Sequence, residues 1–257
     1  MIDKIYLGEN EMPNQSTDRK EAVFSFDTAS NCNRIIEVTH PLIEVYKPED
    51  TINNGNAVLI CPGGSYQRLS IDVEGREPAV WLTSLGYTAY VLQYSVPNNR
   101  KAAFLDIQRA FKRIKHQYQH KKIGLLGFSA GGHLAARLST NFSALSHQAV
   151  ADMIYENCKL DFTLLIYPAF LDEGENNSIS TNLIQDKKLP PIFIFGTEDD
   201  TYFNSIPIFT KYLKEINANF KLHTLKYGGH GYGLRKGNAA AEKWPVLAEK
   251  WLHTILK

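Results

Sequence analysis

From Ala57 onward, short apolar runs alternate with longer stretches whose apolar residues recur at helical spacing. Short apolar runs bounded by turn residues read as buried strands, and apolar residues three or four apart read as one face of a helix. On that basis strands are expected over 57–61, 87–94, 123–126, 162–167, 192–195 and 220–225. Helices are expected over 74–85, 102–117, 133–138, 205–216 and 239–256. Pro78 stands near the start of the 74–85 helix and Gly86 just past its end, where each is best tolerated. Alternating strand and helix implies an α/β fold with a mainly parallel central sheet and helices on both faces. The front segment, about 21–47, is different. Its alternating stretches 34–38 and 42–46 predict antiparallel N-terminal strands at the sheet edge.

No Pro/Gly/Ser linker, repeat or low-complexity tract interrupts the pattern, so 1–257 is expected to be a single domain. Formal net charge is +1, from 28 basic and 27 acidic residues mixed along the chain. That balance gives no reason to expect a nucleic acid or an anionic membrane as partner. The densest basic cluster, Lys112, Arg113, Lys115, Lys121 and Lys122, reads as the solvated face of a helix and its exit. Cys32, Cys61 and Cys158 form no C-x-x-C pair, which argues against a disulfide framework and a zinc site. The first twelve residues carry Asp3, Glu9 and Glu11 and no apolar core, so a cytoplasmic location is expected.

One pentapeptide carries chemistry. Gly127-Phe128-Ser129-Ala130-Gly131 places a serine between glycines, after an apolar run and before a helical one. This is the pattern of a nucleophile elbow, a sharp strand-to-helix turn that holds the serine at strained backbone angles. Its hydroxyl then lies at a helix N-terminus, where unpaired N–H groups and the helix dipole favour developing negative charge.

A nucleophilic serine needs a base, and the base needs an orienting acid. The strand ending at Phe195 runs into Gly196-Thr197-Glu198-Asp199-Asp200, and the strand ending near Leu225 runs into Tyr227-Gly228-Gly229-His230-Gly231. Asp199, closer to the strand end than Asp200, is the expected acid; Asp200 would cap the next helix or face solvent. His230 is the expected base. His133 is expected to pack on its helix, and His223 is mid-strand. Oxyanion donors are expected from the backbone N–H of Ala130 and from Gly64 and Ser65 in the Pro62-Gly63-Gly64-Ser65-Tyr66 turn, with Gly63 a close alternative. Tyr66, Gln67, Phe170, Tyr202 and Tyr232 lie on loops expected to border the site and are candidate substrate contacts. The polar stretch 168–190 is expected to form a small lid-like insertion. Cys61 precedes a proline at a strand end and has no base nearby in sequence, which disfavours it as nucleophile.

With these residues in place, the stretch from about Ala57 to the C-terminus resembles the α/β-hydrolase superfamily, whose triads run in the order serine, acid, histidine. More narrowly, Cys61-Pro62-Gly63-Gly64-Ser65-Tyr66, Glu74-Gly75 with Ala79 and Trp81, Gly127 to His133, and Gly229 to Leu234 resemble the esterases related to acetylxylan esterases and bacterial feruloyl esterase-like proteins. The resemblance implies a serine esterase acting on small acyl esters, often acetylated sugars, with no metal and no cofactor. Pro62 and Ser65 depart from the His-Gly-Gly-Gly motif of hormone-sensitive-lipase-like relatives. The expected partner is a small-molecule ester substrate, and a homodimer is left open. A peptidase or thioesterase with the same triad, and a ligand-binding protein without activity, are the alternatives. Because the base must be neutral, an esterase of this kind should lose activity as pH falls through the ordinary histidine range, about 6.5.

Overall fold

The computed structural model describes residues 2–8, 21–141, 160–184, 186 and 188–256. Two units, Met1–Ile123 and Gly124–Lys257, are taken in turn.

In the first unit the strands are β1 (Asp3–Tyr6), β2 (Val23–Asp27), β3 (Cys32–Glu37), β4 (Leu42–Tyr46), β5 (Ala57–Cys61) and β6 (Thr88–Gln93), and the helices are α1 (Glu77–Ser84) and α2 (Arg100–Gln117). Its sheet runs β1-β4-β6-β5. β5 and β6 are parallel, whereas β4 lies antiparallel to β6 and β1 antiparallel to β4. Every residue of β5 and β6 is buried, as strands covered on both faces require. Antiparallel entry through the 42–46 stretch therefore follows the sequence. The 34–38 stretch does not: β3 pairs with β2 in a separate two-stranded ribbon, Asp27 opposite Cys32. Alternation reports that one face is buried, not which strand is the neighbour. Here the buried face includes Ile35, whose backbone exchanges both hydrogen bonds with Leu69.

The helix expected over 74–85 starts earlier and in another geometry. A π-helical turn, Asp72–Arg76, precedes α1. From its end Arg76 reaches Glu44, with Nη2 2.7 Å from Oε1 and Nε 3.1 Å from Oε2. The buried Glu44 also accepts from Gln93 Nε2 and the Tyr46 hydroxyl. A buried charge is tolerated when paired and hydrogen-bonded in this way. α2 buries Ala103, Ile107, Ala110, Phe111 and Ile114, three or four residues apart, and Asn99 caps it by accepting the Ala102 N–H at 2.9 Å.

The second unit holds β7 (Ile123–Phe128), α3 (Ser129–Thr140), β8 (Phe162–Ile166), β9 (Ile192–Thr197), α4 (Ser205–Glu215), β10 (Phe220–Leu225) and α5 (Ala239–Ile255). Its four strands are parallel in chain order. Register brings their C-terminal ends level: Phe128 stands beside Ile166, Ile166 beside Phe195, and Thr197 beside Leu225. Loops leaving those ends meet at one sheet edge, where open parallel sheets place their ligands. Beneath them Phe128 packs on Tyr167 and Trp244, ring centroids 5.7 and 5.6 Å apart.

Of the segment expected as a lid, the described residues form two short 3₁₀ turns, Glu175–Asn177 and Thr181–Leu183. The segment is tied to the end of α3 and the start of α4. Asn141 Nδ2 donates to the Asn182 carbonyl at 2.7 Å, Asp186 N–H to the Thr140 carbonyl at 2.8 Å, and Leu171 N–H to Ser205 Oγ at 3.1 Å. Among the described residues no helix is long and apolar enough to cross a membrane.

Candidate active site

Ser129 is the first residue of α3 and follows β7 without a linker. Its φ is +50°, a left-handed conformation that costs a side-chain-bearing residue about 1–2 kcal/mol. Two contacts enforce the turn. The Ser129 carbonyl accepts the Ala169 N–H at 3.1 Å. Gly127 lies so close to the helix that an added Cβ would be 2.4 Å from the Gly131 carbonyl oxygen and 2.8 Å from the Ala135 Cβ. Only a glycine lets β7 turn straight into α3 here. The turn leaves the Ala130 N–H in the first turn of the helix, where intrahelical acceptors are lacking.

Ser129 Oγ stands 2.7 Å from His230 Nε2. The imidazole sits on the loop after β10 and is itself held from behind: His230 Nδ1 is 2.7 Å from Asp200 Oδ2. An ionised carboxylate only accepts hydrogen bonds, so Nδ1 carries the proton and Nε2 is left to accept from the serine hydroxyl. Asp200 is buried, and its other oxygen accepts the Tyr202 N–H at 2.8 Å. The carboxylate that meets His230 is thus that of Asp200 and not that of Asp199, which the sequence had pointed to. The reason is where the chain leaves the sheet. β9 continues to Thr197, two residues beyond the expected end, and a turn closed by Asp200 N–H to the Thr197 carbonyl at 3.2 Å swings the second carboxylate under His230. Asp199 is exposed and accepts the N–H groups of Gly228 and Gly229 at 3.2 and 2.9 Å. Those bonds, the Gly229 bond first, hold its carboxyl below the usual carboxylate range.

In the first unit, the turn after β5 is built around a buried carboxylate. Glu74 Oε2 accepts the Gly63 N–H at 2.9 Å, and Tyr94 OH donates to the Pro62 carbonyl at 2.7 Å. Gly63 N–H is therefore already engaged. The Gly64 carbonyl accepts from Gln67 and Arg68, and Ser65 and Tyr66 both take left-handed angles, φ +57° and +59°. Among the described residues the N–H groups of Gly64 and Ser65 have no hydrogen-bond partner.

In the sequence comparison the family model described as serine hydrolase (FSH1) matches residues 70–230, more than half of the chain. The chain belongs to that serine hydrolase family. Two curated relatives carry xylan chemistry in their names. An acetylxylan esterase of Xylanibacter ruminicola is 26% identical over 202 residues, covering 70% of this chain and 42% of the relative. An endo-1,4-beta-xylanase B of Butyrivibrio fibrisolvens is 27% identical over 225 residues, covering 74% and 34%. The serine hydrolase thus spans less than half the length of the curated relatives it matches. Among solved structures, an acetyl ester-xyloside bifunctional hydrolase from Caldicellulosiruptor lactoaceticus superposes with a TM-score of 0.75 at 28% identity, over 98% of this chain and 96% of that one. The α/β hydrolase MGS-M1 from a Medee basin deep-sea metagenome library gives 0.70 at 24% identity over 100% and 98%, which supports the fold. The serine hydrolase has the α/β-hydrolase fold, with a mostly parallel sheet and a few antiparallel strands.

Around His230 the hydrolase gathers rings. Tyr167 and Tyr202 lie 5.0 and 4.9 Å from the imidazole, and Phe170 stands edge-on to Tyr202 at 5.5 Å. Tyr202 thus lies against His230, with Phe170 against Tyr202. Tyr167 was not singled out by sequence reasoning, although it ends the strand expected over 162–167. Its hydroxyl accepts the Gly233 N–H at 3.0 Å, which ties the histidine loop down. Tyr232 is only 5% exposed and packs on Tyr167 at 4.4 Å, so its ring is a packing element more than an open platform. In the first unit, Tyr66 is 2% exposed, pressed between Tyr94 at 5.9 Å and the Arg100 guanidinium at 5.0 Å. A buried ring cannot offer a face to a sugar, so Tyr66 is not the platform residue that its loop position suggested. Gln67 is exposed and hydrogen-bonds Asn98.

Cys61 is fully buried and burial pushes its thiol far up, away from the thiolate. His133 is buried edge-on to Phe170, and His223 lies on β10 against Phe193. Cys158 lies outside the described residues. Among the described residues no group of three or more His, Cys, Asp or Glu side chains forms a metal site.

Proposed function

We propose that the serine hydrolase is a carboxylesterase that removes small acyl groups, acetyl from sugar esters foremost, through an acyl-enzyme. The observation that carries this reading is the unbroken line Ser129 Oγ, His230, Asp200, with 2.7 Å at each junction. His230 Nε2 takes the hydroxyl proton as Ser129 Oγ attacks the ester carbonyl, and Asp200 holds the tautomer and balances the imidazolium charge. The Ala130 N–H stabilises the oxyanion. Gly64 and Ser65 are proposed as further donors, on their position in the turn after β5 and their lack of partners within their own unit. His230 then returns the proton to the leaving alcohol and activates water to cleave the acyl-enzyme. The choice of acetylated sugars is supported by the names of the xylan-active relatives.

Aryl acetate, butyrate and hexanoate, acetylated xylo-oligosaccharides, a peptide amide and a thioester should be assayed side by side with Ser129→Ala. Hydrolysis of the acetyl esters by the native protein and its abolition in Ser129→Ala, with unchanged thermal unfolding, is expected. Retained ester hydrolysis in the variant sinks the reading, and preference for the thioester or amide moves the substrate class.

A further inference from the structure

Asp199 lies next to the acid of the triad in sequence, yet it touches no reacting group. Both of its oxygens are committed to backbone: Oδ2 accepts the Gly228 N–H at 3.2 Å and Oδ1 the Gly229 N–H at 2.9 Å. These are the two residues that deliver His230. Gly229 has φ +67°, so the loop passes through a left-handed conformation immediately before the base. The carbonyls of the same two residues are held as well. Thr197 Oγ1 donates to the Gly229 carbonyl at 2.8 Å, and Asn238 Nδ2 donates to the Gly228 carbonyl at 2.8 Å. Asn238 in turn caps α5 by accepting the Ala240 and Ala241 N–H groups. All four backbone polar groups of the Gly228-Gly229 pair are thus tied by three side chains, two from the end of β9 and the turn after it and one from the start of α5. Space is closed too, since a Cβ on Gly228 would lie 2.7 Å from both Ala240 Cβ and Thr197 Cγ2.

We propose that Asp199 is a positioning residue for the base: it clamps the Gly228-Gly229 amides and thereby sets His230 between Ser129 and Asp200. The two neighbouring carboxylates divide the work, Asp200 orienting the ring and Asp199 fixing the loop that carries it. This rests on the esterase reading for its kinetic consequence, while its geometric consequence stands without it. A glycine pair, here with Gly229 in left-handed backbone, has wide conformational freedom when released. Displacement of a catalytic group by about 1 Å costs on the order of 10²-fold in rate.

The test compares Asp199→Ala, Asp199→Asn and Asp200→Ala by kcat and KM on an aryl acetate, by thermal unfolding, and by the downfield proton resonance of the His230–Asp200 hydrogen bond. Asp199→Ala should lower kcat about 10- to 100-fold with KM within about twofold, and should broaden or shift the downfield proton. Asp199→Asn, which keeps one acceptor oxygen, should recover most of both. Asp200→Ala should lose the resonance outright and cost on the order of 10³- to 10⁴-fold. A native kcat and an unshifted resonance in Asp199→Ala overturn the proposal, and so does a loss equal to that of Asp200→Ala. If Asp199→Ala does not fold, Asp199→Ser, too short to hold both amides, carries the decision: a native kcat and an unshifted resonance in it overturn the proposal. Failure of the esterase reading is separate: it shows as hydrolysis surviving in Ser129→Ala, and leaves the resonance comparison intact.

Discussion

Asp200 receives His230 Nδ1 on one carboxylate oxygen, 2.7 Å away, and the Tyr202 N–H on the other, 2.8 Å away. The second bond fixes the carboxylate plane, so only one oxygen faces the imidazole and only one tautomer is favoured. Asp200→Asn offers an amide that can donate to Nδ1, which inverts the tautomer and turns Nε2 from acceptor to donor. Steady-state kinetics on an aryl acetate should show kcat falling on the order of 10³- to 10⁴-fold in Asp200→Asn, with Tm nearly unchanged. A loss under about tenfold would mean that the carboxylate does not set the tautomer.

The same pair shows how far the site could be read from the chain. The pairing of Ser129 with His230 was legible because local chemistry marks both residues: a serine between glycines at a strand-to-helix turn, and a histidine framed by glycines after a strand. The carboxylate beside His230 was legible only to within one residue. Two adjacent aspartates differ by the direction in which each leaves the turn, which depends on β9 running on to Thr197 and on amides thirty residues away. Burial of Tyr66 was hidden for a similar reason, since its neighbours Tyr94 and Arg100 are distant in sequence. The parallel βα order was plain from periodicity. Pairing of β3 with β2 was not, because an alternating strand looks alike in a ribbon and at a sheet edge.

Gly127→Ala tests the elbow itself. The added methyl would meet the Gly131 carbonyl at 2.4 Å and Ala135 at 2.8 Å, and the first of these is backbone that cannot rotate away. Relief requires β7 and α3 to separate and carries Ser129 away from His230. Forced overpacking of this kind costs about 1–3 kcal/mol or more. Differential scanning fluorimetry should show a lower Tm, and kcat should drop more than KM changes. Native Tm together with native kcat would mean that the turn is looser than its geometry requires.

Tyr232 carries a buried hydroxyl with no hydrogen-bond partner among the described residues. Burial, with the nearby charges of Asp200 and Asp199, pushes its ionisation well above the ordinary tyrosine range, so it remains a neutral phenol. A buried hydroxyl left unpaired is destabilising by about 1–3 kcal/mol. Tyr232→Phe keeps the ring on Tyr167 and removes that cost. Its Tm should therefore rise, measured without substrate. A Tm that falls instead would place a partner on the phenol, and repeating the melt with an acetylated xylo-oligosaccharide would tell whether that partner is the sugar.

Acid stability should carry the signature of Asp199. Its carboxyl is held below the usual carboxylate range in the fold by the Gly229 and Gly228 amides, whereas in the unfolded chain it titrates near about 3.9. As pH falls the unfolded state takes up the proton first, so folding stability drops with it. The contribution is thus complete above about pH 4 and is lost progressively as pH falls through the lower, folded value. Asp199→Asn cannot titrate and lacks this dependence. Thermal unfolding followed from pH 7 down to about 2.5 should show the variant less stable near neutrality, with the two curves converging in the most acidic samples. Because the carboxylate is exposed yet bound to amides rather than to a cation, added salt should change the gap little. Curves that stay parallel across the whole range would mean that Asp199 is not anchored to the histidine loop in solution.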